Sequence, residues 1–356
     1  MFAVSRAFDT YTAPITPSVS WEFLQQLLHT AFNGEAAVLV FFVLSGCVLS
    51  IQLSRLPIDS LRGISSFLVR RLFRIYPMLV VSVLISTTIL LVLKLMPPSP
   101  YLPLRGPDYL LQTLSPVKFA LNAIAWAAEV DPPLWSLKIE LYYSFAFPLI
   151  YWIVRRPTGF AILGAISALA MFTPILGHSL TRYFLMAFTL GAVLPLYPSF
   201  GRNFGRIEAF AIPIYLVGLA SARKILAPMG LDHGTFVFIE TICSAALLRA
   251  VYYRTVPTLF LDNPILIDIG NWSYSIYLLH FPIMYLFCVV IGWIVGGKYV
   301  ADHGFISEIS LTILTAIVTI PLSALTYLTI EIPFQRIGKH LFSRKKDSIR
   351  GRVENA

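Results

Sequence analysis

The chain has 356 residues, of which 57% are hydrophobic and only 13% are charged. A soluble domain carries about 25% charged residues, so this composition excludes an ordinary soluble protein. Apolar runs of about 18 residues or more recur along the sequence, which is typical of a polytopic helical membrane protein. We therefore attribute the formal net charge of +9 to basic loops that set membrane topology, and we predict no nucleic-acid partner.

The sequence predicts an all-α integral membrane protein, a polytopic helical bundle of about nine transmembrane helices. The predicted spans are 36–54, 75–95, 134–153, 159–176, 181–197, 208–222, 234–252, 272–296 and 305–330. Pro321 and the Gly-Trp-Ile-Val-Gly-Gly run from Gly292 are predicted break points in the last two spans. Glu331 and Pro333 are predicted to mark the end of the final span, where the proline stops the helix. The cysteines Cys47, Cys243 and Cys288 lie inside apolar runs without paired spacing, so we predict neither a metal site nor a disulfide framework.

Basic residues are concentrated in alternate loops, which the positive-inside rule assigns to the cytoplasm. The first of these predicted loops contains Arg55, Arg62, Arg70, Arg71 and Arg74. Arg223 and Lys224 are an exception to the rule. An odd number of spans then predicts an extracytoplasmic segment at 1–35, a transmembrane domain at 36–335 and a basic cytoplasmic tail at 336–356.

The arginine cluster at Arg70, Arg71 and Arg74 stands directly before an apolar span. A guanidinium is always charged and offers five donors in a fixed fork that suits phosphate oxygens. Two interpretations stay open on this basis. The arginines anchor the protein to lipid phosphates, as loop arginines commonly do, or they bind a polyphosphate ligand.

Glu140 and His280 are predicted to lie within apolar spans, where a charge is costly and often functional. Glu140 is a candidate for orienting a base or binding an acceptor hydroxyl, or it forms a structural pair with Lys138 or an arginine. His280 shares a helical face with Tyr277 and Ser273. This polar stripe either relays protons and holds an acceptor or joins helices by hydrogen bonds. Ser45-Gly46 predicts a close approach of two helices and no nucleophile.

Five sequence blocks resemble those of the membrane-bound acyltransferase 3 family, bacterial proteins that O-acylate sugars. The blocks are Asn33–Gly46 (NGEAAVLVFFVLSG), Arg71–Arg74 (RxxR), Pro133–Pro148 (PLWSL..E.......P), Ser273–His280 (SYS.YLLH) and Glu331–Pro333 (E.P). Each block alone is a weak pattern, and their common order along the chain makes the resemblance specific.

The resemblance implies a transferase that moves an acyl group, often acetyl, from cytoplasmic acyl-coenzyme A to a hydroxyl of a carbohydrate or cell-envelope glycan. Acyl-coenzyme A is then a co-substrate, with no permanently bound cofactor, and the location implied is the bacterial plasma membrane. Arg71, Arg74 and Arg70 are the implied donor-binding residues, and Trp135, Tyr277 and Ser273 the implied substrate pocket. Glu140, His280 and His29 are the candidates for catalysis.

The resemblance departs from the family at the start of the chain. Family members usually begin with a helix that carries an arginine and, eleven positions later, a histidine as the proposed catalytic base. Here the early histidine is His29, and Ser18 stands eleven positions before it. We expect that helix to be absent, either because the chain start lies too far downstream or because the protein is truncated. A transporter of a lipid-linked sugar and a non-catalytic acyltransferase homologue are the alternative functions.

Overall fold

The computed structural model describes residues 30, 33–95, 115–128, 130–173, 180–199, 205–256, 258–296, 299 and 303–341. These ranges are predominantly helical, and no β-strand occurs within them. The prediction of an all-α protein is therefore confirmed.

The described ranges contain ten α-helices. They are α1 Gly34–Ser54, α2 Leu61–Leu95, α3 Pro116–Ala123, α4 Leu134–Val154, α5 Pro157–Phe172, α6 Leu185–Val193, α7 Gly205–Leu226, α8 His233–Tyr252, α9 Pro264–Val295 and α10 Gly304–Thr326. Short 3-10 turns occupy Leu180–Tyr183 and Leu259–Asp262, and a π-helical turn at Tyr327–Glu331 follows α10.

Six of the described helices are long and apolar enough to cross a membrane. They are α1, α2, α4, α8, α9 and the continuous segment Gly304–Leu341 that contains α10. Helix α5 is apolar but has only 16 residues. A polytopic helical membrane protein is thus supported, and the count of nine spans stays a prediction.

Helix α2 begins at Leu61, which corrects the assignment of its arginines to a loop. The helix has 35 residues and is therefore about 52 Å long, against about 30 Å for the hydrocarbon of a bilayer. Arginine is a good helix former, and the segment between Leu61 and Tyr76 contains no proline and a single glycine, Gly63, in the first turn of the helix. The arginines thus lie on a rigid helix that continues into the apolar span.

The predicted break points had different outcomes. Helix α9 ends at Val295 beside Gly296, whose φ of +80° suits glycine, so the break in the Gly292 run is confirmed. Pro321 lies inside α10 without ending it. The prediction that Pro333 stops the last helix was wrong, because the helical segment continues to Leu341. The π-helical turn directly before Pro333 widens the helix where a proline would otherwise crowd the preceding turn.

The chain divides into two compact units. The described part of the first unit lies within Leu68–Lys138 and Pro264–Ala356, and that of the second within Glu22–Phe67 and Ile139–Asn263. In the first unit, α9 and α10 pack together around Met284, Cys288 and Leu311.

In the second unit, α1 and α6 approach closely through two glycines. A Cβ atom added at Gly46 would lie 2.5 Å from the carbonyl oxygen of Phe188, and one at Gly191 would lie 2.0 Å from that of Val43. Small residues allow this distance, as predicted for Ser45-Gly46. Ser50 Oγ also donates across the pair to the carbonyl of Ala192 over 2.8 Å.

Candidate active site

The first unit carries the three arginines predicted to bind a ligand, which we call the basic turn: Arg70, Arg71 and Arg74 of α2. Arg71 is 5% exposed, whereas Arg74 is exposed and Arg70 is partly buried. The Nε atom of Arg70 is buried and has no hydrogen-bond partner among the described residues. Since a buried donor without an acceptor is unfavourable, the basic turn has unused capacity for an anion.

Contacts from α9 and from the end of the last helix fix the position of the basic turn. The hydroxyl of Tyr274 in α9 donates to the carbonyl of Ile75 over 2.8 Å. A Cβ added at Gly338 would lie 2.8 Å from Cβ of Phe73 and 3.6 Å from Cα of Arg70. The backbone that carries the arginines is therefore held from two helices.

A buried polar network lies next to these contacts and was not predicted. Ser275 of α9 is fully buried and its hydroxyl donates to Oε1 of Glu331, which is 3% exposed in the π-helical turn. Thr326 Oγ1 lies 3.1 Å from Ser275 Oγ. Ser275 directly follows Tyr274, whose hydroxyl donates to the carbonyl of Ile75 next to Arg74. The sequence signal was the E.P block, which we had interpreted only as the end of the last span.

The predicted pocket residues divide into one partly buried member, Tyr277, and two exposed members, Trp135 and Ser273. Tyr277 lies against the start of α4, with its hydroxyl 2.6 Å from Ser136 Oγ and 3.2 Å from the carbonyl oxygen of Pro133. Trp135 is 37% exposed. Ser273 is exposed and donates to the carbonyl of Gly270 in its own helix.

His280 lies beside Tyr277, as their predicted common helical face requires, and their ring centroids are 5.7 Å apart. Its Nδ1 lies 2.6 Å from the backbone carbonyl oxygen of Tyr277. A carbonyl only accepts, so this contact assigns the proton to Nδ1. In the neutral ring Nε2 then carries the lone pair, which is the arrangement that a general base needs.

Asp131 is a second buried carboxylate of the first unit that was not predicted. It is fully buried, its Oδ2 accepts from Ser82 Oγ over 2.9 Å, and its Oδ1 has no hydrogen-bond partner among the described residues. Burial raises the pKa of Asp131 to about 7. The residue directly precedes the Pro-Pro-Leu-Trp sequence, and an acidic residue at the edge of a span was the available signal.

The other two catalytic candidates, Glu140 and His29, are not among the residues of the first unit described above. Glu140 is 4% exposed on α4 and belongs to the second unit, whereas the basic turn and His280 belong to the first. His29 lies outside the described residues.

The second unit contains an ion cluster that the sequence analysis also missed, formed by Asn33, Glu35, Arg223 and Glu240. Glu240 is fully buried and accepts from Arg223 Nε and Nη2, each at 3.1 Å, and from Asn33 Nδ2 at 3.0 Å. Arg223 Nη1 also pairs with Glu35. Arg223, one of the two basic exceptions to the topology rule, is therefore paired with two carboxylates.

Comparison with known proteins identifies the family. A family model described as an acyltransferase domain matches residues 7–328, which is nearly the whole chain. The chain belongs to the acyltransferase 3 family. Among members of the acyltransferase 3 family, the acyltransferase MdmB of Streptomyces mycarofaciens is 27% identical over 341 residues, covering 87% of this chain and 83% of MdmB.

Two staphylococcal relatives are similar at lower identity. A putative O-acetyltransferase of Staphylococcus aureus strain COL is 25% identical, covering 86% of this chain and 53% of the relative. The O-acetyltransferase OatA of strain NCTC 8325 is 23% identical, covering 87% and 54%. The chain thus spans about half the length of these two acyltransferase 3 proteins. No solved structure matches the chain.

Proposed function

We propose that this membrane acyltransferase transfers an acyl group, acetyl in the simplest case, from acyl-coenzyme A to a hydroxyl of a carbohydrate or cell-envelope glycan. Membership of the acyltransferase 3 family supports the reaction class. The names of the staphylococcal relatives, which are O-acetyltransferases, support a hydroxyl oxygen as acceptor and acetyl as the group.

The basic turn is the proposed donor site, and the unused hydrogen-bonding capacity of Arg70 beside the exposed Arg74 is the observation that carries it. Coenzyme A carries several phosphate oxygens, and guanidinium forks bind such oxygens with two hydrogen bonds each. Because α2 is longer than the bilayer hydrocarbon, its first turns are available to a polar ligand while the same helix enters the membrane.

His280 is the general base that we favour among the candidates. Its Nε2 would accept the proton of the acceptor hydroxyl while that oxygen attacks the thioester carbonyl. The carbon–sulfur bond then breaks, an ester forms, and the coenzyme A sulfur leaves and takes up a proton. Tyr277 restricts the imidazole through its backbone carbonyl. Glu140 is left for a role in binding the acceptor.

The proposed location is the bacterial plasma membrane, with the basic tail at 336–356 in the cytoplasm. The alternation of basic loops supports this orientation. It would give the basic turn access to cytoplasmic acyl-coenzyme A.

Coenzyme A binding to the purified protein tests the donor site. We expect R71A plus R74A to weaken the affinity by at least about a hundredfold, because two charged hydrogen-bonding groups are lost. The matched control is R55A plus R62A, which removes the same charge from exposed positions at the end of α1 and the start of α2. R74A alone is included, since Arg71 is buried and its loss can disturb folding.

Equal binding by wild-type protein and R74A would contradict the proposal, as would an equal loss in the control pair. The latter result would mean that overall positive charge, and not the basic turn, attracts the donor.

A further inference from the structure

The end of the last helix places an acid beside the basic turn in an unusual way. Glu331 is the final residue of the π-helical turn Tyr327–Glu331, and the backbone N–H of Ile332 donates to the carbonyl of Tyr327, five residues earlier. Such wide turns are rare and occur frequently at functional sites. This one rotates Glu331 to where Ser275 can donate to it, inside the protein.

The neighbours of Glu331 all belong to one small region of the first unit. Ser275, which bonds to it, follows Tyr274, whose hydroxyl donates to the carbonyl of Ile75. Ile75 in turn directly follows Arg74 of the basic turn. A Cβ added at Gly338 of the same helical segment as Glu331 would lie 2.8 Å from Cβ of Phe73, which directly precedes Arg74. Two helices therefore bring the Glu331 carboxylate into the neighbourhood of the basic turn.

The Arg74 side chain is exposed, so it samples many rotamers when no ligand is bound. A fixed carboxylate nearby restricts those rotamers and lowers the entropy that a ligand must remove on binding. Ser275 keeps the carboxylate itself in place, because it is buried and bonded to one oxygen.

We propose that Glu331 is a positioning residue of the donor site: its carboxylate, held by Ser275 in the π-helical turn, preorganises Arg74 for a phosphate of acyl-coenzyme A. This inference rests on the proposed donor function of the basic turn. It assigns to the closing E.P block a role in binding the donor, beyond marking the end of a helix.

A double-mutant cycle between Glu331 and Arg74 tests the inference, with coenzyme A as the probe. Glu331→Gln keeps the shape and an acceptor for Ser275 and removes the charge. We expect E331Q to weaken coenzyme A binding about fivefold in the wild-type background and to have no effect in the R74A background. A purely structural role of Glu331 would give the same loss in both backgrounds.

Two further variants sharpen the cycle. Ser275→Ala leaves the carboxylate charged but less fixed, so we expect a weakening in the same direction and smaller than that of E331Q. Glu308→Gln is the matched control, since Glu308 is also a buried carboxylate of the last helix, 5% exposed, and lies about 35 Å away along the helix axis. We expect E308Q to bind coenzyme A with unchanged affinity.

Dephospho-coenzyme A identifies which phosphate is involved. If Arg74 binds the ribose phosphate, the effect of E331Q disappears with this probe; if it binds the pyrophosphate, the effect persists, and either result agrees with the inference. Thermal unfolding of each variant establishes that the compared proteins are folded.

These measurements distinguish a failure of the proposed donor site from a failure of the inference about Glu331. Unchanged coenzyme A binding in R74A would overturn the proposed donor site and the inference together. If R74A weakens binding and E331Q leaves it unchanged, strengthens it, or weakens it equally in the R74A background, only the inference is wrong. Strengthened binding would mean that Glu331 repels the phosphates.

Discussion

Arginine occurs in two contrasting settings in this protein. In the second unit, Arg223 is bonded to the buried Glu240 through Nε and Nη2 and pairs with Glu35 through Nη1. In the first unit, the basic turn has three arginines, and Arg70 Nε finds no hydrogen-bond partner in the described part of the chain. Carboxylates of the protein bond to Arg223 in the first of these clusters, whereas the basic turn contains a hydrogen-bond donor, Arg70 Nε, without a partner among the described residues.

The hydrogen-bond partners of the arginines distinguish the two clusters better than their positions in the sequence do. By the topology rule, Arg223 and Lys224 were an unexplained exception on the predicted outer side. The structure explains them: Arg223 meets two carboxylates, and Lys224 Nζ donates to Thr30 Oγ1 over 2.6 Å. An arginine compensated inside the protein needs no lipid or ligand. In the basic turn, by contrast, the buried Nε of Arg70 has no hydrogen-bond partner among the described residues, which is why we propose ligand binding there.

The largest expected effect comes from breaking the compensated cluster. Glu240→Ala leaves Arg223 with a desolvated charge, so we expect the free energy of unfolding to fall by about 3–5 kcal/mol. Denaturant titration in detergent measures this. Glu35→Ala should cost about 1 kcal/mol or less, because Glu35 is 42% exposed. Coenzyme A affinity of the folded E240A protein should be unchanged; a loss would show that the two clusters are not functionally distinct.

Asp131 is a buried carboxylate with no arginine partner among the described residues, so its ionisation should lower the free energy of unfolding. Its pKa is raised from 3.8 to about 7, so the folded state holds the proton more tightly than the unfolded state between these values. Its stabilising contribution is present below about pH 4 and is lost as the pH rises to about 7, by up to about 4 kcal/mol.

We therefore expect Asp131→Asn to remove a fall in stability between about pH 4 and pH 7 and to be more stable than the wild type at the higher pH. Unfolding titrations at both values measure this slope, and an equal slope in D131N would contradict it.

The smallest expected effect concerns the geometry of the basic turn. Gly338→Ala introduces a methyl group 2.8 Å from Cβ of Phe73, which must push the first turns of α2 away. We expect coenzyme A binding to weaken about threefold, with about 1 kcal/mol lost in stability. Gly270→Ala is the control, since a Cβ there meets nothing within 4 Å. Unchanged binding in G338A would mean that the donor site does not depend on this contact.

The hydropathy of the sequence predicted those helices whose ends coincide with the ends of an apolar run. The predicted spans 36–54, 134–153 and 234–252 agree within two residues with α1, α4 and α8. Helix α9 begins eight residues before its predicted span at Pro264. Polar or mixed turns beyond the hydrocarbon carry no hydropathy signal, so the first turns of α2 and α9 were missed.

The candidate site was predictable only as far as helical spacing allows. Spacing correctly grouped Tyr277 with His280. It could not decide which serine of the Ser-Tyr-Ser sequence faces inward, and the buried one is Ser275, whereas Ser273 is exposed. Glu331 and Asp131 were missed for a related reason: their roles depend on partners in α9 and α2 that are distant in sequence.

The turn at Tyr327–Glu331 also has a consequence for how the family can vary. A wide turn equals the insertion of one residue into an α-helix, and one residue corresponds to about 100° of rotation. Deleting a single residue there would return the helix to regular winding and rotate Glu331 and Gly338 together relative to α10, so that they could not keep their present neighbours while α10 keeps its own. The distance between α10 and the E.P block is therefore free to change only in compensated steps, whereas substitutions on the exposed side of the same turn leave this register intact.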